Sequence, residues 1–166
     1  MRTLILLRHA KSAYPPGVSD HDRPLADRGR RDAPAAGEWL ASHCAAPDLV
    51  LVSTARRAQE TWDLAKPHLP AFGDVRDEGR IYEAATPVLR DIVATLPGSA
   101  GTVLVVGHNP ALEDLAVSLA TDGVPDALGS MAMKYPTCGI AVLTGDGAWA
   151  DMLRHARLAA FAVPRG

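Results

Sequence analysis

Five short runs of hydrophobic residues are separated along the chain by longer segments of mixed character. The runs are Leu4–Leu7, Leu49–Val52, Thr102–Val106, Ile140–Leu143 and Leu158–Val163. Runs of this length that are continuous rather than alternating are typical of strands buried on both faces of a sheet. The pattern therefore predicts a buried, mainly parallel sheet.

The mixed segments between these runs carry hydrophobic residues at helical spacing. The predicted helices span Asp27–Cys44, Arg56–Leu69, Val88–Leu96 and Ala111–Ala120. Pro34 should kink the first helix or set its first turn. Strands that alternate with helices predict an α/β fold, here a three-layer αβα sandwich.

The end of the chain has a different pattern. Residues Gly139–Leu143, the turn Thr144–Gly147 and the segment from Ala148 are typical of a hairpin. We therefore expect a mixed sheet with antiparallel pairing near one edge. A length of 166 residues, without a linker-like stretch, predicts one domain over residues 1–166.

Composition narrows the class of protein. Hydrophobic residues make up 48% and charged residues 22%, which suits a packed core and argues against disorder. The net charge of −2 argues against broad nucleic-acid binding, because proteins that hold a phosphate backbone are normally basic. Cys44 and Cys138 form no CxxC motif, which argues against a disulfide framework or a thiolate zinc site.

The same features bear on location. No run approaches the roughly 18 apolar residues of a membrane span. The first apolar run, Leu4–Leu7, is too short for the core of a signal peptide and ends in charge. We expect a cytoplasmic protein without membrane contact.

Residues suited to phosphate chemistry follow three of the predicted strands. The first strand ends in Arg8-His9-Ala10-Lys11-Ser12, the second in Ser53-Thr54-Ala55-Arg56-Arg57 and the third in Gly107-His108-Asn109-Pro110. Ligands of open parallel sheets bind beyond the carboxyl ends of the strands, so these segments are expected to share one pocket.

Two histidines and an arginine in one pocket can transfer a phosphoryl group. Neutral imidazole attacks phosphorus without a separate base, and arginine matches phosphate oxygens with a planar, permanently charged fork. The pattern alone does not decide whether His9 or His108 is the nucleophile. It predicts that only one of Arg56 and Arg57 faces the pocket, because adjacent helical residues point about 100° apart.

A second device is predicted at Asn109-Pro110, where Asn would cap a helix and Pro would be its first residue. The free N–H groups of that helix would favour an anion in the pocket. No metal-binding motif or nucleotide-binding loop is present, and no cofactor is expected. Trp39 and Trp62 are interpreted as core residues. The remaining histidines are interpreted as surface or loop residues; they are His21, His43, His68 and His155.

Several motifs together resemble the histidine phosphatase superfamily, which is the phosphoglycerate mutase-like group. They are Leu6–Ser12 with its Arg-His-Ala, Asp22–Leu25 followed by Arg28–Arg30, Ser53–Thr61, Arg80–Glu83, Val105–Pro110 and Pro136–Leu143. They occur in the family's order over nearly the whole chain. Among its branches, the sequence is most similar to the small phosphohistidine phosphatases of the SixA type, which lack a large inserted subdomain.

The resemblance assigns roles that the residues alone left open. It implies that His9 is the nucleophile and that Arg8, Arg57 and His108 hold the phosphoryl group. It also implies that Glu83 is the general acid for the leaving group.

Two positions depart from the family pattern. Pro15 stands where many members have an Asn that contacts phosphate, so that contact is lost or is supplied by Ser12 or a backbone amide. Asn109 is a further candidate for phosphate binding. Ala26 stands where a Ser or Thr often caps the first helix, which bears on helix stability.

The resemblance implies a metal-independent phosphatase that acts through a covalent phosphohistidine, with a phosphohistidine on a protein as substrate. The alternative within enzymes is a phosphatase for small phosphomonoesters. A mutase is disfavoured because it must exclude water and 166 residues leave little material for a lid. The third hypothesis is a phosphate-binding module without catalytic activity. The presence of all the candidate residues argues against it.

Overall fold

The computed structural model describes residues 1–166, whose seven strands form one mixed sheet. The strands are β1 (Arg2–Arg8), β2 (Leu49–Val52), β3 (Asp74–Asp77), β4 (Thr102–Gly107), β5 (Ala120–Gly123), β6 (Ile140–Gly145) and β7 (Ala156–Ala162). Their spatial order is β3-β2-β4-β1-β6-β7-β5. Pairing is parallel from β3 through β1 and between β7 and β5, and β6 is antiparallel to both of its neighbours.

Six helices cover the sheet. They are α1 (Asp27–His43), α2 (Arg56–Ala65), α3 (Thr86–Ala94), α4 (Ala111–Leu119), α5 (Pro125–Met133) and α6 (Trp149–Met152). Three short 3₁₀ turns lie in the connections, at Asp20–Asp22, Lys66–His68 and Gly79–Ile81. None of the helices is long and apolar enough to cross a membrane.

Alternate residues of the central strands are buried on opposite faces of the sheet. Leu4 and Leu6 pack with hydrophobic side chains of α3, α4, α5 and α6, whereas Ile5 and Leu7 pack with those of α1 and α2. This alternation follows from the two-residue period of a strand. The two cores and the sheet between them confirm the predicted three-layer αβα sandwich.

The register of β1 and β4 positions the ends of both strands side by side. The two central strands are parallel, and Arg8 pairs with Gly107. The next residue of each strand is a histidine, so His9 and His108 emerge together at one edge of the sheet.

Several predicted features need correction. The antiparallel pairing is present, but α6 separates β6 from β7, and β5 rather than a hairpin strand forms the edge. Pro34 does not set the first turn of α1, because it lies in the helix beyond that turn. The helix predicted to run to Leu69 ends at Ala65 and is followed by a 3₁₀ turn. The pattern missed β3, β5, α5 and α6.

Candidate active site

A polar pocket of ≈ 510 Å³ opens at the carboxyl ends of β1 and β4. We call it the His9 pocket. The residues that line it are Arg8, His9, Lys11, Ser12, Tyr14, Arg23, Arg57, His108, Asn109 and Thr137. Three separate segments of the sequence meet here as predicted, and two more, which carry Arg23 and Thr137, join them.

His9 is held as a neutral imidazole with one nitrogen free. Its Nδ1 lies 2.7 Å from the carbonyl oxygen of Ala10. A carbonyl oxygen only accepts, so Nδ1 carries the hydrogen and Nε2 keeps its lone pair. Burial, followed by the nearby His108 and arginine charges, lowers the pKa of His9 from 6.5 to about 3. The unprotonated Nε2 is the form that attacks phosphorus.

His108 lies beside His9, with ring centroids 5.1 Å apart and planes inclined by 54°. Burial, followed by the charge of Arg57, lowers the pKa of His108 to about 4. Its Nε2 is 2.7 Å from the hydroxyl of Ser53, which already accepts the N–H of Ala55. When the Ser53 hydroxyl donates its hydrogen to His108 Nε2, the ring hydrogen lies on Nδ1, from which it can be donated to a phosphoryl oxygen.

Two arginines bring permanent charge to the pocket. Arg8 donates from Nη1 to the Tyr135 carbonyl oxygen at 3.0 Å, and its burial lowers its pKa. Arg57 donates to Asp20, at 2.7 Å to the carbonyl oxygen and at 3.2 Å to the carboxylate. The neighbouring Arg56 lies outside the pocket and donates to Glu60 Oε1 at 3.1 Å. Of the adjacent arginines, Arg57 is the one that lines the pocket.

The buried side-chain atoms without a hydrogen-bond partner all belong to residues of this pocket. They are Arg8 Nε, Arg57 Nε, His108 Nδ1 and Asn109 Oδ1. A buried polar atom without a partner is destabilising and is rare in folded proteins. Three of these atoms can donate, which suits an anion.

The two lesser phosphate candidates differ in what they still offer. Ser12 is buried, and its hydroxyl oxygen accepts from Arg23 Nη1 at 2.9 Å, so its hydrogen remains free to donate. Asn109 donates both amide hydrogens, to Glu113 Oε2 and to the Tyr135 carbonyl oxygen, each at 3.0 Å. The contacts of Asn109 favour a role in holding the loop rather than in binding phosphate.

Helix α4 does not begin as predicted. Pro110, not Asn109, occupies the capping position, and the helix starts at Ala111. The N–H of Leu112 is donated to the His108 carbonyl oxygen, and no residue of α4 lines the pocket. Its contribution is to fix His108 rather than to present free N–H groups to an anion.

Arg23 is a pocket residue to which the sequence analysis gave no role. Its guanidinium lies 4.0 Å from the centroid of the Tyr14 ring and donates to Ser12 and to Asp20. Pro15, the position of the lost Asn contact, does not line the pocket. Arg23 therefore places a positive charge beside Ser12, and its place in the Asp22–Leu25 motif was the only sequence signal for it.

Asp20 links the loop before α1 to the pocket. It accepts from Arg57 and from the Tyr82 hydroxyl, the latter at 2.6 Å. The Tyr82 hydrogen bond and the charge of Arg57 lower the pKa of Asp20 to about 2, so Asp20 is a carboxylate at neutral pH. His21 also lies here, with Nε2 3.0 Å from Thr54 Oγ1 and its ring against Tyr82. These loop contacts had no sequence signal.

Glu83 lies outside the set of pocket-lining residues. It is exposed and has a backbone φ of 54°, in the left-handed region that non-glycine residues seldom adopt. Its neighbour Tyr82 approaches His108, with ring centroids 5.8 Å apart. The structure therefore places Glu83 at the margin of the site rather than within it.

Thr61 ties the segment that carries His9 to α2. Its hydroxyl accepts the N–H of Ala10 at 3.0 Å and donates to the carbonyl oxygen of Arg57 at 2.7 Å. Thr61 is fully buried. This pair of hydrogen bonds fixes His9 relative to Arg57, although the two residues lie on different elements.

No group of three or more His, Cys, Asp or Glu side chains is arranged to hold a metal ion. The charges that face the His9 pocket come instead from guanidinium and ammonium groups. Such groups stabilise the equatorial oxygens of a phosphoryl group during its transfer.

Comparison with known proteins identifies the family. Residues 4–84 match the model of the histidine phosphatase superfamily (branch 1). The chain is 45% identical over 162 residues to the uncharacterized protein Rv1276c of Mycobacterium tuberculosis, covering 96% of this chain and 100% of that protein.

Two solved structures share both sequence and fold with the chain. The putative phosphohistidine phosphatase SixA from Nakamurella multipartitia is 34% identical, with a TM-score of 0.86 over 98% of this chain and 96% of that one. The putative phosphohistidine phosphatase SixA from Agrobacterium tumefaciens is 30% identical, with a TM-score of 0.82 over 98% and 99%. Together with the His9 pocket, these similarities show that the chain belongs to the histidine phosphatase superfamily and has a SixA-like fold.

Proposed function

We propose that this protein is a metal-independent phosphatase that transfers a phosphoryl group first to His9 and then to water. The observation that carries the proposal is the meeting of an unprotonated His9 with guanidinium N–H donors that have no partner in the protein. The imidazole supplies the nucleophile, and the guanidinium groups stabilise the charge of the phosphoryl oxygens.

In the first step, the lone pair of His9 Nε2 attacks phosphorus. A P–N bond forms as the bond to the leaving group breaks, and the leaving group takes the bonding electron pair. A protonated phosphohistidine releases neutral imidazole in this way without a strong acid. Arg8, Arg57 and the Nδ1–H of His108 hold the transferred phosphoryl oxygens.

In the second step, water attacks the phosphorus of phospho-His9. The P–O bond forms, the P–N bond breaks, and its electron pair returns to Nε2. The Ala10 carbonyl oxygen keeps the proton on Nδ1, so His9 leaves as neutral imidazole rather than as an anion. The proton of the water passes to the released phosphate or to solvent.

We propose that the substrate is a phosphohistidine on a protein. The mouth of the pocket is open, and no inserted subdomain covers it, since the sheet and its six helices account for the fold. The exposed Tyr14 at the rim leaves access for a macromolecule. The position of Glu83 outside the pocket agrees with a leaving group that needs little acid assistance. Two SixA structures, 34% and 30% identical to this chain, bear the name putative phosphohistidine phosphatase.

A substrate panel tests this function. The purified protein is incubated with a phosphohistidine-bearing carrier protein, with sugar and nucleoside phosphates, and with an aryl phosphate, each with and without an excess of chelator. We expect the highest kcat/KM on the carrier protein and no effect of the chelator. A higher kcat/KM on small phosphomonoesters would favour that alternative, and activity that disappears with chelator and returns with added metal would contradict the mechanism.

We also propose a cytoplasmic location. The two cysteines are free thiols, one of them buried. A reducing compartment keeps such thiols unpaired. Fractionation of the native host, with the protein followed by antibody, is expected to recover it in the cytoplasmic fraction.

A further inference from the structure

A second cleft adjoins the His9 pocket. It has a volume of ≈ 430 Å³ and is lined by Arg8, Lys11, Arg28, Lys134, Pro136 and Thr137. We call it the basic cleft. Four of its six lining residues are cationic and none is acidic. It therefore carries positive charge on a protein whose net charge is −2.

The charge of the basic cleft is largely uncompensated. Lys11 and Lys134 are exposed and form no ion pair. The remaining lysine of the chain, Lys66, is paired with Asp63 at 2.6 Å. Only Arg28 has a carboxylate partner, the buried Asp32, at 3.4 Å. Two of the three lysines thus face one cleft without a counter-charge.

The basic cleft and the His9 pocket are continuous. Arg8, Lys11 and Thr137 line both. A molecule whose phosphoryl group reaches His9 can therefore place an adjoining group over the lysines. Since closely spaced cations focus the electrostatic potential, an anionic group is the one favoured there.

We propose that the basic cleft binds a second anionic group of the substrate, a carboxylate or a further phosphate. This inference rests on the proposed function of the His9 pocket and names its substrate class: phosphorylated molecules with a negative charge next to the phosphoryl group. An acidic side chain beside a phosphohistidine supplies such a charge, and so does a small molecule with two anionic groups. Complementary charge of this kind contributes to specificity and to the association rate.

A matched pair of small substrates tests one source. The kcat/KM for 4-carboxyphenyl phosphate is divided by that for 4-carbamoylphenyl phosphate, which has similar size and no second charge. We expect Lys134→Met to lower this ratio about fivefold, since one of the cations that faces the carboxylate is lost. Lys66→Met is the control because Lys66 follows the far end of α2 and lines neither the His9 pocket nor the basic cleft, and it is expected to leave the ratio unchanged.

A matched pair of peptides tests the other source. Phosphohistidine peptides with Glu or Gln at the flanking positions are compared in the same variants. A ratio that falls in Lys134→Met for the peptides alone assigns the cleft to acidic protein substrates, and a fall for the aryl phosphates alone assigns it to small dianions. A ratio unchanged in both pairs would overturn the inference.

Binding without turnover separates this inference from the proposed function. The dissociation constants of orthophosphate and pyrophosphate are measured by calorimetry. We expect pyrophosphate to bind about tenfold more tightly, and Lys134→Met but not Lys66→Met to reduce this advantage. If the protein prefers pyrophosphate in this way but hydrolyses no phosphorylated substrate, the proposed function is wrong and the inference about the basic cleft is supported. If the protein hydrolyses aryl phosphates through His9 but does not prefer pyrophosphate, only the inference about the basic cleft is wrong.

Discussion

His9 is kept neutral more by burial than by its charged neighbours. The charges of Arg57 and Arg8 lower the pKa of His9 and so favour the unprotonated imidazole. Burial is the larger cause, because the folded protein excludes the water that would stabilise imidazolium. A nucleophile with a lowered pKa stays available over a wide range of pH.

The lowered pKa of His9 has a direct spectroscopic consequence. The ¹⁵N shifts of the His9 ring are expected to show a neutral imidazole, protonated at Nδ1, down to pH 5, because its pKa falls to about 3 on folding. The urea-unfolded protein provides the reference, with titration near 6.5. Titration of His9 near 6.5 in the folded protein would contradict this assignment.

The same shift fixes the sign of a stability effect. Below pH 6.5, His9 is protonated in the unfolded chain, whereas in the folded protein it stays neutral until about pH 3. The contribution of His9 to the free energy of unfolding therefore falls as the pH falls through this window.

Adjacent arginines offer an internal control for phosphate binding. The side chain of Arg57 is 7% exposed and that of Arg56 is 54% exposed. We expect Arg57→Lys to lower kcat about 100-fold, since lysine lacks the planar fork, and Arg56→Lys to stay within about twofold. Steady-state kinetics on an aryl phosphate measures both, and equal effects would contradict the assignment of Arg57.

The role of Glu83 as general acid is tested by how the effect of Glu83→Gln on the rate depends on the leaving group. If Glu83 donates a proton, Glu83→Gln slows aryl phosphates with poor leaving groups more than activated ones. A series of substituted aryl phosphates, with kcat/KM plotted against leaving-group pKa, measures this. An equal loss across the series would remove Glu83 as the acid.

At the scale of elements, helix α1 is packed tightly against the segment that follows β1 and carries His9. Gly29, in the first turn of α1, lies so close to the Lys11 carbonyl oxygen that an added Cβ would stand 2.2 Å from that oxygen. The N–H of Ala26 is donated to the same oxygen. The start of α1 therefore fixes the segment that carries Ser12.

We predict that Gly29→Ala destabilises the protein by roughly 2–3 kcal/mol, because backbone must move to relieve the contact. Gly129→Ala is the control: Gly129 lies inside α5 with open space around its Cα, and the change should stabilise the protein by about 0.5–1 kcal/mol. Urea unfolding measures both. A Gly29→Ala protein as stable as the parent would contradict the packing described here.

The elements that the sequence predicted are those with a strong hydrophobic signal. β1, β2 and β4 are continuous apolar runs because they are buried on both faces. β3 is an exposed edge strand whose sequence, Asp-Val-Arg-Asp, is mostly charged, so hydrophobicity does not mark it. Short α6 occupies only four residues, too few for a helical period to show.

The site divides in the same way. His9 and His108 could be brought together from sequence because each directly follows a buried parallel strand. Asp20 and Arg23 lie in the long connection between β1 and α1, whose path depends on contacts with Arg57 and Tyr82 rather than on a local pattern. Tertiary contacts of this kind leave no periodic trace in the sequence.

For the whole molecule, the site depends on the central position of β1 and β4, since these neighbouring strands bring His9 and His108 together. Hydrophobic cores on both faces hold the two strands in register, and the residues that follow them inherit that rigidity. The protein is acidic overall, yet six of its 17 lysines and arginines line the His9 pocket and the basic cleft at this edge of the sheet. A rigid scaffold and a local positive potential together suit the capture and transfer of a phosphoryl group.

The most direct test is to trap the phosphorylated protein. The enzyme is mixed with ³²P-labelled phosphohistidine carrier, quenched in base, digested and analysed by mass spectrometry for the phosphorylated residue. We predict an adduct on His9 that is stable in base and labile in acid, absent in His9→Ala and retained in the surface variant His43→Ala. Turnover by a protein that forms no such adduct, or an adduct on another residue that persists in His9→Ala, would contradict the account.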